Sequence, residues 1–301
     1  MKTKNEEKNL LEHAFSQFSS GKTQASIETL DQIIATAEDQ NDRLLRARIL
    51  GKKGVFLLEI GQLDAAQECL EEVLKLSAEL ESLEIKADAL SNLGLISTAG
   101  GDPGTGLLKQ QEATISARET GNDFLIMTHL GLLGHAYIQL ANFEESGKCY
   151  IEAIKIARKI QDSQAQQGFL TNLGVIFANL DQHENAEKAF AELSTLAKES
   201  GDYPLALHAE KNLVKHAIAT GNIDAIIAHS RQGLKLIEIH LKDAEEREAF
   251  EDMLILGLMS NNKHEEAKPY LSEVIEKAKR SKNKYRALTA TSQLADTHYS
   301  L

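Results

Sequence analysis

The chain has 301 residues, a formal net charge of −12, three prolines and no tryptophan. That acidity excludes a general nucleic-acid surface or an anionic membrane surface, both of which attract basic proteins. Abundant Ala, Leu, Glu, Lys and Gln favour helix almost throughout, and no run of about 18 apolar residues exists to span a membrane. The opening Met1-Lys-Thr-Lys-Asn-Glu-Glu-Lys leads into polar helix without an apolar signal core, so a cytoplasmic protein is expected. Cys69 and Cys149 stand two repeat periods apart, too far for a disulfide, and are expected as free thiols.

Taken in order, the chain repeats itself. A helix-breaking position recurs as Gly21, Gly61, Gly101, Ala141, Asp181, Gly221 and Asn262. Seven residues before it lies a mostly small column, Ala14, Gly54, Gly94, Gly134, Gly174, Val214 and Ile255. Five residues after it come Ser26, Ala66, Gly106, Ser146, Ala186, Ile226 and Ala267. Nine after it come Leu30, Leu70, Gln110, Tyr150, Phe190, Ser230 and Leu271. Small residues fall where two helices cross closely, and large ones where a groove must be filled. The repeats run over approximately 9–42, 43–82, 83–122, 123–162, 163–202, 203–242 and 243–283, with a terminal helix at 284–300. Each is long enough for two helices of about 16 to 18 residues. Neither helix can bury its apolar face alone, so neighbours must stack, and 1–301 reads as one solenoid domain.

Units three and six break the pattern. Ala99-Gly-Gly-Asp-Pro-Gly-Thr-Gly106 precedes polar Gln110, and Ser230 and Gly233 occupy columns that are large elsewhere. Local looseness is expected at both. Gly101 and Gly106 have the spacing of a phosphate loop, but Leu107 and Leu108 stand where Lys and Ser/Thr are required, and a long inter-helix turn is the expected reading. Of ten histidines, His208 and His216 share one helix more than two turns apart, and no His-Glu-x-x-His occurs. No metal or cofactor is expected. Paired carboxylates such as Glu144-Glu145 read as solvated faces, and no serine has a nucleophile-elbow context. The chain is not expected to be an enzyme.

Leu133-Gly134, Tyr137, Ser146, Tyr150 and Ala153, with Leu173-Gly174, Phe177, Ala186 and Phe190, resemble the signature positions of the tetratricopeptide repeat in its 40-residue form. The family's Trp is never present, and its proline after the second helix is absent. The resemblance implies an all-α right-handed superhelical solenoid of seven helical hairpins plus a C-terminal capping helix. It also implies a concave groove lined by the first helices, with binding positions two before and one after the small column. Those positions include Asn92, Asn172 and Asn212, and His135, Val175 and Lys215, with Thr128 and Ile138 along the same stripe. Asn amides can both donate to and accept from a peptide backbone, although capping or solvating the helix is the alternative. Arg48 with Lys52, and Lys211 with Lys215 beside His208, form cationic pairs one turn apart. Either they clamp an acidic segment or a free carboxylate, or they are solvated faces. The expected function is a protein-interaction scaffold or adaptor that binds a peptide segment of a partner. A ligand- or peptide-responsive bacterial regulator of a signalling enzyme or transcription factor is the alternative. Self-association through the terminal repeats is possible on this reading, because the last helix leaves one face uncovered.

Overall fold

The computed structural model of the chain describes residues 4–241 and 246–299. Among them lie fifteen helices and no strand. They are α1 Lys4–Ser19, α2 Thr23–Asp39, α3 Arg43–Glu59, α4 Leu63–Glu79, α5 Leu83–Ala99, α6 Pro103–Glu119, α7 Asp123–Gln139 and α8 Phe143–Ile160. They continue as α9 Ser163–Asn179, α10 His183–Ser200, α11 Tyr203–Thr220, α12 Ile223–His240, α13 Arg247–Ser260, α14 His264–Arg280 and α15 Lys284–Tyr299. Residue 300 of the expected terminal helix, 242 of the sixth repeat and 243–245 of the seventh lie outside the described residues. Two compact units are present. The first, Met1–Asp162, holds four hairpins, α1 to α8; the second, Ser163–Leu301, holds three hairpins and α15.

Every residue of the break column has positive φ, from 54° at Ala141 and Asp181 to 92° at Gly101. One left-handed residue turns the chain from each first helix into its second. Glycine adopts that conformation without steric cost and Asn or Asp with little, which explains the column's composition. The glycine run of unit three is therefore an ordinary turn and not a long one. Helix α6 starts directly at Pro103, with the Asp102 carboxylate accepting from the Thr105 amide at 3.0 Å.

The small column faces the large one within each hairpin. A Cβ on Gly54 would stand 2.8 Å from Leu70, on Gly134 3.0 Å from Tyr150, and on Gly174 2.5 Å from Phe190. Where the column after the break is serine, the hydroxyl bonds across the crossing: Ser26 Oγ donates to the Ala14 carbonyl at 2.7 Å, and Ser146 Oγ to that of Gly134 at 2.8 Å. Gly168 on α9 has open space around its Cβ position. Gly168→Ala is therefore expected to raise stability by about 0.5–1 kcal/mol, from helix propensity alone. Urea denaturation of the two proteins measures it, and a lower midpoint for the alanine variant would contradict it.

The two aberrant units are not loosely packed. In unit three, Gly94 and Gly106 let α5 and α6 touch backbone to backbone. Gln110 is buried with both ends satisfied: Oε1 accepts from Ser91 Oγ and Nε2 donates to the Ser91 carbonyl, each at 2.9 Å. In unit six, the space left by Gly233 is taken by Phe250 of α13, whose ring would lie 2.3 Å from a Cβ there. Phe250, 2% exposed, joins Val214, Ala217, Ile226, Leu236 and Ile237 in one cluster. Neither gap is empty. The looseness expected from composition fails because the filling groups come from other helices.

Candidate functional site

The predicted binding residues of the first unit lie on three first helices. Arg48 and Lys52 are exposed on α3. Their neighbours are engaged elsewhere: Arg46 pairs with Glu38 and Glu72, and Lys53 with Asp31 at 2.6 Å. Arg48 and Lys52 have no ion partner among the described residues. Asn92 on α5 is half-buried, and its amide donates to the Asp88 carbonyl one turn back at 2.9 Å. That is the self-capping alternative. On α7, Thr128 likewise donates to the Phe124 carbonyl at 2.9 Å, exposed His135 lies 3.2 Å from the Gln139 amide, and Ile138 is half-buried.

In the second unit the geometry is more selective. Asn172 and Val175 are exposed on α9. Asn212 on α11 is half-buried, and its Nδ2 is shielded from solvent without a hydrogen-bond partner among the described residues. The three register-matched asparagines thus sit in different environments: Asn92 bonds to its own helix, Asn172 is exposed, and Asn212 is half-buried. Helix periodicity places His208, Lys211, Lys215 and Ile218 along one stripe of α11. Burial pushes the His208 imidazole below its ordinary range, and Lys211 and Lys215 push it the same way, with Glu246 opposing. Neither lysine has an ion partner among the described residues. Together with Val214 and Ile218 they border a hollow of about 80 Å³, closed on the far side by Ala249, Phe250 and Met253 of α13. A second hollow of about 170 Å³ continues past His208 and Lys211 to Pro204, Leu207, Leu241 and Glu246. Cations over an apolar floor can take an apolar side chain and pair with a carboxylate beside it.

Phe250, Ala249 and Glu246 were not identifiable as site residues from the repeat register. The signal that points to Phe250 is the undersized pair Ser230 and Gly233, which requires a large group from elsewhere. His216 approaches His183 of α10, with ring centroids 5.2 Å apart, rather than His208. Among the described residues no group of three or more His, Cys, Asp or Glu is placed to hold a metal ion, and no helix is long and apolar enough to cross a membrane. Cys69 and Cys149 are free, and burial pushes Cys149 up to about 11.

The sequence model of the tetratricopeptide repeat matches residues 47–80, 130–160 and 168–200. No curated protein matches the chain. Among solved structures, a signal-transduction ATPase with numerous domains and a tetratricopeptide repeat sensor, from Pyrococcus horikoshii, aligns with TM-score 0.69 and 16% identity, over 84% of this chain and 38% of that one. A Rap protein complexed with Competence and Sporulation Factor aligns with TM-score 0.59 and 15% identity, over 99% and 76%. The apo form of the quorum sensor NprR from B. thuringiensis aligns with TM-score 0.53 and 17% identity, over 98% and 82%. At such identities the likeness is one of fold.

Proposed function

We propose that this chain, a tetratricopeptide-repeat protein, is a non-enzymatic, cytoplasmic adaptor that binds a peptide segment of a partner protein on the exposed faces of its first helices. The observation that carries this reading is the α11–α13 surface, where Lys211 and Lys215, with no ion partner among the described residues, flank an apolar hollow. Two like charges one turn apart cost the free helix a few tenths of a kcal/mol, and a protein of net charge −12 has many acids that could have neutralised them. A partner segment with Leu or Phe beside Asp or Glu satisfies both features. Arg48 and Lys52 offer a comparable pair on α3.

A library of peptides carrying Leu or Phe flanked by acidic residues tests this. Selected peptides should bind the wild type in a salt-sensitive way and lose about 10- to 100-fold in affinity to the Lys211→Glu, Lys215→Glu double variant, with helicity unchanged. Equal affinity for the two proteins would sink the reading.

A second reading, a peptide-responsive regulator, is favoured by the Rap and NprR likenesses, which run over nearly all of this chain. A regulator of that kind binds a short free peptide and changes its solution scattering profile. An adaptor keeps its profile and retains a folded partner.

A further inference from the structure

Two histidines of the second unit meet where the repeat elsewhere places apolar residues. Two positions after the small column stand buried Phe56, Ile96, Ala136 and Ile176, and then His216, also buried. Two positions after the break stand Leu63, Pro103, Phe143 and Ile223, with His183 among them. In the first unit, Leu63 packs against the core cluster that holds Ile96. His183 of α10 and His216 of α11 make the corresponding contact, with ring centroids 5.2 Å apart and planes inclined at 52°. Both partners of an apolar contact are imidazoles here.

That spacing is the spacing of a chelate. An ion held about 2.1 Å from one nitrogen of each ring lies about 3.2 Å from each ring centre, and a tetrahedral angle then separates the centres by about 5 Å. Burial pushes the His216 imidazole below its ordinary range and His183 pushes it the same way, against Glu187 and a hydrogen bond to the His183 backbone. The ring is therefore neutral at pH 7, with a lone pair to donate. A metal-binding histidine commonly gives its other N–H to a backbone carbonyl in this manner. Glu187 lies one turn beyond His183 on the same face of α10, and its charge reaches His216. We infer that His183 and His216 bind one divalent ion of the zinc class, clipping α10 to α11, with Glu187 as third ligand and water completing the shell. The two imidazoles are in place; Glu187, exposed on α10, joins by a change of rotamer. Two imidazoles, a carboxylate and water are a set that zinc accepts, whereas magnesium demands oxygens. The α10 dipole opposes a cation at this end, and Glu184 in its first turn counters the dipole.

Isothermal titration of the 301-residue chain with zinc chloride tests this. The wild type should bind one ion per chain at micromolar concentration and melt at a higher temperature when loaded. His183→Ala removes an exposed ligand, and His216→Ile restores the residue found at Ile96 and Ile176. Each should keep its helicity and lose about 100-fold or more in zinc affinity, and Glu187→Gln about 10-fold. His208→Ala, on the same helix as His216, should bind as the wild type does, and magnesium should not compete. A wild type that binds no zinc overturns the inference. So does a zinc affinity left unchanged by His183→Ala or by His216→Ile, which would assign the ion to other histidines or to the acidic surface.

Discussion

Leucine at position 94 unfolds the third hairpin. In Gly94→Leu a Cβ would stand 2.9 Å from the Gly106 carbonyl oxygen, 3.2 Å from Gln110 Nε2 and 3.3 Å from Lys109 Cβ. The first contact decides the outcome, because a backbone oxygen inside a helix has no rotamer to escape through. A Cβ on Gly106 would likewise stand 2.9 Å from the Gly94 carbonyl oxygen, so the crossing is closed from both sides. Separating α5 from α6 would also break the Gln110–Ser91 bonds and leave an amide unsatisfied in the core, an added cost of about 1–3 kcal/mol. The expected loss is about 3 kcal/mol or more. In a stack whose units depend on their neighbours, it should show as lost amide protection across 83–122 before the whole chain melts. Gly134→Leu should be milder, because what its Cβ meets is the Tyr150 ring at 3.0 Å, which can tilt. Wild-type exchange in Gly94→Leu would refute the packing described for unit three.

That contrast marks what the sequence makes legible. Turn positions are local: one left-handed residue suffices, and the spacing of Gly21, Gly61 and Gly101 shows it directly. The pairing of a small column with a large one sixteen residues on is legible for the same reason, since both partners lie in one hairpin. The exceptions are not. Gln110 looks like a defect until Ser91, nineteen residues away, is seen to satisfy it, and Gly233 looks like a void until Phe250 arrives from the next hairpin. Compensation of this kind is non-local and leaves no period. The candidate site divides similarly. The register puts Arg48, Lys52, Lys211 and Lys215 on the first helices, where they are exposed or half-exposed. It does not reveal that Asn92 bonds to its own helix, or that the floor beside Lys215 is built by α13.

The deepest of these hidden compensations is Glu210. The position four before the small column is Leu in the repeats up to Leu170, then Glu210 and Glu251, each 3% exposed. Burial raises the Glu210 carboxyl, but donors from His229, Lys198 and Ser194 outweigh it and hold the group below the ordinary glutamate value of 4.5. Ser194 Oγ and Lys198 Nζ each donate to Oε1 at 2.7 Å, and His229 Nδ1 donates to Oε2 at 2.8 Å. One carboxylate thereby ties α10, α11 and α12 together. Because folding lowers this pKa, the stabilisation is present above pH 4.5 and lost as pH falls through the folded value. Glu210→Ala removes the centre of the network, strands the buried Ser194 hydroxyl and opens a cavity, so a loss of about 3 kcal/mol is expected at pH 7. Glu210→Leu restores the residue of the earlier repeats and fills the space; its deficit at pH 7 should be smaller, because no cavity is left and the abandoned Lys198 and His229, 35% and 24% exposed, can still reach water. On acidification the wild type should lose its advantage over Glu210→Leu, and their melting temperatures should converge or cross below pH 4.5. Parallel melting curves for the two proteins from pH 7 to pH 3 would mean that the carboxylate does not hold these three helices in its ionised form.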